Sequence, residues 1–365
     1  MVGIILYGPF ELAPYAKAYM QMLDGMDIKY DLIGWRRGDA AEYEGENVYI
    51  YCGKTAKRFS TPIHKLLPTV KYRRFVKRLI RKKKYDMLII LTTQTAMILP
   101  DVLLGRYSGR YIFDYRDKSY EYIKLYRALV NAFARHSKET AVSSPWFAEN
   151  LTDKKKYVTV HNFRDELLHL SKPQCKKKSA EEKIVVGYIG VLRQYEYHRW
   201  LCDIFGDDGR FEFHTYGCGD DEEKLEEYAK KYKNVFVHGA YREDEKYEIT
   251  DTFDMMCYNY PYSFVNDGAV ANKYYDSLIL KKPMLVNPKT LVGRFIADEG
   301  MGVGITEEEQ NIADRIYSWY RGFDPAEFSA VCDKYMEKYA QDNRRFVKVM
   351  SKALENGENK PAAER

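Results

Sequence analysis

Three polar residues at the start of one predicted helix have the types that bind a nucleotide. They are Asn272, Lys273 and Asp276, within a stretch (267–286) whose pattern predicts a helix followed by a strand. Asn272 and Asp276 are four residues apart and share one helix face, which Lys273 borders. Backbone N–H groups at a helix start bind phosphate, and a carboxylate accepts hydrogen bonds from ribose hydroxyls. The alternative is a solvated first turn with Asn272 near the cap.

A second polar group follows a predicted buried strand at residues 109–114. Asp114, Arg116 and Asp117 come where this strand ends. Ligands of parallel sheets bind beyond the carboxyl ends of strands, so these side chains are placed where chemistry occurs. An internal salt bridge combined with a helix cap explains the same residues equally well.

Glycines and one arginine follow two strands in the second half of the chain. The predicted strand 184–190 ends in Gly190, and Arg193 lies in the loop after it. The predicted strand 211–216 is followed by Gly217 and Gly219. Both loops are expected at the carboxyl edge of a parallel sheet, the usual place for a ligand.

A long predicted helix from His64 to Lys84 carries ten Lys and Arg residues and no acid. Apolar residues recur at helical spacing within it, so one face is predicted to pack on a sheet. The cations then form either an ordinary solvated face or a surface for anionic lipid or a polyanionic substrate. The four cations assigned to such a surface are Arg73, Arg74, Lys77 and Arg78.

Composition narrows the class of protein. The 365 residues are 45% hydrophobic, enough for two domains with separate cores, and the net charge of +5 does not indicate nucleic-acid binding. The six cysteines lack metal-ligand spacing, and the acids at 220–223 suit a helix start, so no metal site is predicted. Reduced cysteines and the lack of a signal peptide or membrane span predict a cytoplasmic protein.

Strands alternate with helices in both halves, which predicts an α/β protein with two Rossmann-like parallel-sheet domains. Residues 1–163 form the predicted N-terminal domain, and the polar segment 164–182 is the predicted linker. The predicted C-terminal domain spans 183–323. A terminal helix is predicted over 324–354, because Asp324, Pro325 and Glu327 make a good helix start. The tail, 355–365, is predicted to be disordered.

Taken together, these segments resemble a GT-B glycosyltransferase of the group 1, or family 4, type that builds bacterial cell-surface or capsular polysaccharides. The resemblance covers nearly the whole chain and rests on the order and spacing of its motifs. These are FDYRD (113–117), VSSPWF (142–147), HN (161–162), GYIGVLRQY (187–195), YGCGDDEEKL (216–225), VFVHGAY (235–241) and NKYYDSLILKKPML (272–285).

The resemblance implies two facing domains with a cleft between them, a donor held by the C-terminal domain, an acceptor held by the N-terminal domain, and a terminal helix that crosses back to the latter. Arg193 matches the basic residue that neutralises the donor diphosphate, and Arg199 has the spacing of a second one. Asp276 matches the ribose-binding acid of an acid pair whose other member is replaced by Gly268. Among the acids of FDYRD, Asp117 and then Asp114 are the proton acceptors expected for the acceptor hydroxyl.

The expected function is therefore transfer of a hexosyl group from a nucleotide-diphosphate sugar, with a UDP sugar favoured, to a saccharide or lipid-linked acceptor. No tightly bound cofactor is expected. Peripheral association with the inner face of the plasma membrane follows if the acceptor is lipid-linked. A sugar-nucleotide epimerase on the same fold and a non-catalytic GT-B-like partner protein are the alternatives. The residues expected to bind the donor are Gly190, Arg193, Arg199, Gly217, Gly219, Asn272, Lys273 and Asp276.

Overall fold

Strands and helices alternate through the computed structural model, which describes residues 1–36, 45–53, 62–152, 157–163 and 165–358. The chain divides into unit 1, Met1–His161 with Gln341–Arg365, and unit 2, Asn162–Ala340. Each unit contains one sheet, and the strand pairs of both sheets are parallel.

Unit 1 has a seven-stranded sheet in the order β3-β2-β1-β4-β5-β6-β7. Its strands are β1 (Val2–Leu6), β2 (Tyr30–Trp35), β3 (Val48–Tyr51), β4 (Met87–Leu91), β5 (Tyr111–Tyr115), β6 (Glu139–Val142) and β7 (Tyr157–Thr159). The connecting helices are α1 (Ala16–Gly25), α2 (Pro62–Lys83), α3 (Thr93–Met97), α4 (Lys124–His136) and α5 (Pro145–Ala148). A 3₁₀ turn at Phe10–Leu12 and a π turn at Val102–Arg106 complete the unit.

The central strands β1, β4 and β5 are buried along their whole length. Such unbroken apolar runs form the middle of a parallel sheet, because helices cover both of its faces. Between β4 and β5 the chain forms the short α3 and the π turn, and Pro100 lies between the two.

Unit 2 has a six-stranded sheet in the order β10-β9-β8-β11-β12-β13. Its strands are β8 (Ile184–Ile189), β9 (Phe211–Tyr216), β10 (Val235–Val237), β11 (Met255–Cys257), β12 (Met284–Val286) and β13 (Gly302–Gly304). The helices are α6 (Tyr195–Phe205), α7 (Glu222–Ala229), α8 (Lys246–Asp251), α9 (Asn272–Ile279), α10 (Leu291–Asp298), α11 (Ile312–Gly322) and α12 (Pro325–Glu358).

The polar segment predicted as a linker lies within unit 2 from Asp165 onward and is bonded to it. A 3₁₀ helix occupies Asp165–Leu170, the Cys175 N–H donates to Ser329 Oγ at 2.9 Å, and Lys177 Nζ donates to two carbonyls at 2.7 Å. This segment is therefore polar but fixed in position, because its polar groups form hydrogen bonds with the rest of unit 2. Arg164 lies outside the described residues.

Helix α12 belongs to both units, since unit 2 ends at Ala340 and unit 1 resumes at Gln341. Its later residues Phe346, Met350 and Leu354 are buried in the core of unit 1. The helix extends to Glu358, past the predicted end at Leu354, so the first residues of the predicted disordered tail are helical. Residues 359–365 lie outside the described part of the chain.

Candidate functional site

The strand order of unit 2 creates a topological switch point at β8. The chain leaves β8 towards β9 and β10 on one side, whereas β11, β12 and β13 lie on the other side. In open parallel sheets a ligand binds beyond the carboxyl ends of the strands at such a point. A ligand site is therefore expected at the loop between β8 and α6.

The predicted glycines lie together at this edge of the sheet. Gly190 follows β8 with φ +141°, and Gly217 follows β9 with φ +143°. A Cβ added to Gly217 would lie 1.8 Å from the carbonyl oxygen of Gly190, and one added to Gly219 would lie 2.0 Å from that of Leu192. The two loops can approach this closely only because Gly217 and Gly219 have no side chain.

Lys273 brings a positive charge to the same place. Its side chain is buried, with the residue 7% exposed, and Nζ lies 3.6 Å from the centre of the Tyr188 ring and 4.7 Å from that of Tyr260. A Cβ on Gly190 would lie 3.8 Å from this Nζ. Within the described residues Nζ is buried without a hydrogen-bond partner. An ammonium group has three donors, so this one is free to bind an anion.

The start of α9 lies beside this ammonium group. Ala271 is the N-cap residue in an extended conformation, and no side chain caps the helix. Asn272 is therefore the first helical residue rather than the cap. Its exposed side chain accepts a hydrogen bond from Asn162 Nδ2. The N–H groups of the first turn add positive potential on the side where Lys273 lies.

Asp276 is less available than the sequence suggests. It is 3% exposed, and its Oδ2 lies 2.7 Å from Nζ of Lys246, which is also buried. Burial raises the pKa of Asp276, and the charge of Lys246 opposes this rise. The carboxylate is thus held in an internal ion pair, and its ribose-binding role stays a prediction.

The two arginines predicted to bind the donor are in different settings. Arg193 is exposed in the loop after β8 and has no ion pair with a described residue. Arg199 pairs with Glu196 at 3.1 Å and lies 5.7 Å from the ring centre of Tyr228 on α7. Tyr228 borders an open groove of about 610 Å³ between α6 and α7. Arg199 is therefore engaged by Glu196 on its own helix and by a ring of α7, and its assignment to the donor stays a prediction.

His198 is a buried imidazole beside the same group of residues. Its ring meets the Tyr188 ring edge to face, with the centres 4.7 Å apart. Burial, followed by the charge of Lys273, lowers the pKa of His198 to about 4. The imidazole is consequently neutral at pH 7, and Lys273 supplies the charge at this point of the site.

In unit 1 the FDYRD acids take separate roles. Asp114 is fully buried, and Arg116 Nε donates to its two carboxylate oxygens at 2.9 and 3.1 Å. The guanidinium also lies 4.3 Å from the ring centre of Tyr15. Asp114 therefore forms the internal salt bridge that the sequence allowed, whereas Asp117 is exposed just past the end of β5. Of the two acids, only Asp117 is exposed, and the catalytic role of both stays a prediction.

The four cations of the predicted surface on α2 also fall into a paired and an exposed group. Arg73 and Lys77 both bind Asp101, at 2.8 and 2.5 Å. Arg74 and Arg78 are exposed one turn apart, in line with exposed Lys71, Arg81 and Lys82. The exposed positive face of α2 therefore includes Arg74 and Arg78, whereas Asp101 offsets one of the two charges of Arg73 and Lys77.

No cluster of three or more His, Cys, Asp or Glu side chains in the described ranges is arranged to hold a metal ion. None of the described helices is both long enough and apolar enough to cross a membrane.

Sequence reasoning missed Tyr188, Tyr260, His198 and Lys246. The aromatic pair had a weak signal, because Tyr188 is two residues before Gly190 and Tyr260 closely follows β11, which places both near the carboxyl edge. Lys246 had none, since a lysine on a short polar helix is usually exposed.

Solved structures provide an independent comparison. The lipopolysaccharide outer core galactosyltransferase WaaB in its apo form matches with a TM-score of 0.63 and 12% identity, over 97% of this chain and 99% of that one. Anabaena Alr3699/HepE in complex with UDP and glucose matches with a TM-score of 0.63 and 13% identity, over 96% and 99%. Sucrose-phosphate synthase from Thermosynechococcus elongatus matches with a TM-score of 0.62 and 11% identity, over 98% and 97%.

The chain has the GT-B fold. The matches extend over whole chains, and the two parallel sheets are those expected from the sequence, so the predicted fold class is confirmed. The resemblance to GT-B glycosyltransferases is confirmed at the level of the fold. No protein-family model and no curated protein sequence matches the chain.

Proposed function

We propose that this protein is a glycosyltransferase that takes its sugar from a nucleotide-diphosphate donor bound by unit 2. The observation that carries the proposal is the buried Lys273 ammonium, which has no hydrogen-bond partner in the described residues and lies at the switch point beside Gly190. A buried charge without a partner is costly, and an anionic ligand would remove that cost.

The chemistry of the donor fits this arrangement. When the sugar–phosphate bond breaks, negative charge grows on the leaving nucleoside diphosphate. Lys273 and Arg193 would bind that charge, together with the first-turn N–H groups of α9. Fixed donors aimed at developing charge commonly accelerate a reaction about a hundredfold or more each.

A UDP sugar is the first donor to test. The solved structures of Anabaena Alr3699/HepE contain UDP with glucose, or UDP-glucose, and share the GT-B fold with this chain at 13% identity. The fold does not favour one hexose over another. If Asp276 binds the ribose, its carboxylate must contact Lys246 and the nucleotide at the same time.

The acceptor hydroxyl would lose its proton as the new bond forms. Asp117 is the acid of unit 1 proposed to receive or orient it, because it is exposed past the end of β5. If the reaction retains configuration, the leaving phosphate takes the proton and Asp117 only orients the acceptor.

We further propose that the acceptor belongs to cell-surface or capsular polysaccharide synthesis and is lipid-linked, with the protein acting at the cytoplasmic face of the membrane. The exposed cations of α2 support this, since each Lys or Arg near an anionic leaflet contributes about 1 kcal/mol. Leu67 on the same helix is 59% exposed and adds an apolar group.

The test begins with a donor screen on the purified chain. Melting temperature is measured with UDP, GDP, CMP and dTDP sugars, because a ligand that binds only the folded state raises it. Donors that bind are then incubated with saccharide and lipid-linked acceptors, and the transferred sugar is identified by mass spectrometry.

Binding that disappears in Lys273→Met but persists in Lys230→Met would support the site, since Lys230 is exposed and pairs with Glu227. Conversion of the donor to its epimer without an acceptor would show that the protein is an epimerase and not a transferase. No binding and no turnover with any donor would leave the non-catalytic alternative.

A further inference from the structure

Tyr188 contacts the groups around the proposed donor site in two ways. It belongs to β8 and is buried, and its ring face carries Lys273 Nζ at 3.6 Å from the ring centre. Its hydroxyl group donates to the carbonyl oxygen of Val191 at 2.9 Å. Val191 lies in the loop to α6, two residues before Arg193. One side chain thus touches one of the proposed phosphate-binding cations and the loop that holds the other.

An aromatic ring differs from a carboxylate as a partner for a buried ammonium group. A ring face attracts the cation through its quadrupole but adds no charge and accepts none of its three N–H groups in a conventional hydrogen bond. Burial raises the pKa of Tyr188, so the phenol stays neutral beside Lys273. The charge of Lys273 therefore stays available to a ligand.

The ring is itself fixed in orientation. His198 packs against it edge to face, with an angle of 84° between the rings, and Tyr260 places a second ring 4.7 Å from Lys273 Nζ. The hydroxyl contact with Val191 then holds the loop relative to that fixed ring. The Leu192 N–H, which donates to the Cys218 carbonyl at 3.1 Å, is a second attachment of the same loop.

We propose that Tyr188 is a positioning residue for both cations, acting on Lys273 through its ring and on Arg193 through its hydroxyl group. The inference rests on the proposed function for the identity of the ligand, a nucleoside diphosphate. It goes beyond that function by assigning a role to a buried residue that acts through Lys273 and through the loop of Arg193.

Two substitutions separate the contributions. Tyr188→Phe keeps the ring and removes the bond to Val191, whereas Tyr188→Leu removes both. Binding of inorganic pyrophosphate and of UDP is measured by calorimetry. We expect the dissociation constants to rise about threefold in Tyr188→Phe and about tenfold or more in Tyr188→Leu, as expected for a lost hydrogen bond and a lost buried cation–π contact.

Double-mutant cycles decide whether Tyr188 acts through the cations. In the Lys273→Met background, Tyr188→Leu should cost no more than Tyr188→Phe does, and in the Arg193→Ala background Tyr188→Phe should cost nothing. If each substitution costs the same in these backgrounds as in the wild type, Tyr188 is only a core residue and the proposal fails.

Tyr228→Leu is the matched control. Lys231 Nζ lies 3.7 Å from the Tyr228 ring centre, a similar pair away from the switch point. Its loss should leave pyrophosphate binding unchanged. An equal loss of binding in this control would show a general effect on unit 2 and overturn the specific role of Tyr188.

If Tyr188→Leu does not fold, the wild-type chain still provides a test. The Tyr188 ring current should shift the ε-CH₂ protons of Lys273 upfield in a spectrum of lysine-labelled protein, assigned by the loss of that signal in Lys273→Met. A signal at the position of exposed lysines would overturn the proposal. A shifted signal and pyrophosphate binding without sugar transfer would instead overturn the transferase and leave the role of Tyr188 intact.

Discussion

Two lysines, one at the start of α8 and one in the first turn of α9, are equally buried but differ in what lies against their charge. Lys246 and Lys273 are each 7% exposed. Lys246 forms an ion pair with Asp276, whereas Lys273 lies on two tyrosine rings and has no hydrogen-bond partner among the described residues. The charge of Lys246 is thus neutralised within the fold, whereas no described acid neutralises the charge of Lys273.

The same difference recurs elsewhere in the chain. In unit 1, Arg116 is neutralised by Asp114, while on α2 Asp101 binds Arg73 and Lys77 and leaves Arg74 exposed. The type of residue and its burial therefore do not identify a ligand-binding cation. The partner does, because a cation already paired with an acid has little electrostatic attraction left for another anion.

The sharpest test of the comparison is on stability. Lys246→Met should lower the free energy of unfolding by about 3–5 kcal/mol, because it leaves the buried carboxylate of Asp276 without its cationic partner. Lys273→Met should leave the free energy of unfolding unchanged or raise it, since the two ring contacts that are lost are offset by removal of a buried charge without a hydrogen-bond partner in the described residues. Urea unfolding measures both.

The double variant Lys246→Met with Asp276→Leu is the control and should regain most of the lost stability. Equal destabilisation by the two lysine substitutions would show that Lys273 has a structural partner after all.

The pH dependence of the unfolding free energy tests whether the charge of Lys273 acts on its neighbour His198. The pKa of His198 is lowered from 6.5 to about 4, so the unfolded chain binds a proton in this range that the folded chain does not. His198 therefore contributes about 3 kcal/mol to the free energy of unfolding above pH 6.5, and this contribution is lost as the pH falls towards 4.

The slope of unfolding free energy against pH between 4 and 6.5 should therefore be smaller in His198→Gln. It should also be smaller in Lys273→Met, because the charge that helps to keep His198 neutral is gone. An unchanged slope in Lys273→Met would place the ammonium group too far away to act.

Arg193 is an exposed cation that has no acid partner among the described residues, so it extends the comparison to the surface. Arg193→Ala should lower turnover about a hundredfold or more, with the melting temperature of the free protein unchanged. Arg199→Ala, a paired cation six residues later, should change turnover less than about threefold. Similar losses in the two variants would remove the distinction between paired and unpaired arginines.

The smallest effect is expected on α2. Replacing Arg74 and Arg78 with Gln should weaken co-sedimentation with anionic vesicles at low salt by about 2 kcal/mol, which is about thirtyfold. The matched pair, Arg73→Gln with Lys77→Gln, removes the same charge but should have a smaller effect, because both side chains are half-buried and held against Asp101. Wild-type protein that ignores such vesicles would rule out the membrane surface.

The sequence predicted the sheets well because the strands are long apolar runs, as in β4 and β5, and local pattern is sufficient for those. It also brought Gly190, Gly217 and Lys273 to one edge, since strand ends in a parallel sheet are predictable from order alone. The sequence pattern could not predict which charged side chains form ion pairs. Asp276 and Lys246 are on different helices, and whether they meet depends on how α8 and α9 pack. The same limit applies to Asp114 and Asp117, which share a motif but differ in burial.

Helix α12 has a consequence for the order in which the chain is built on the ribosome. The core of unit 1 includes Phe346, Met350 and Leu354, yet these residues are translated only after the whole of unit 2, Asn162–Ala340. At about 5–20 residues per second this delay is on the order of ten seconds or more. Throughout it, the nascent first unit displays an apolar strip next to Tyr19, whose ring later packs edge to face on Phe346. We expect that strip to be a binding surface for chaperones during synthesis and to vanish when the last turns of the helix arrive.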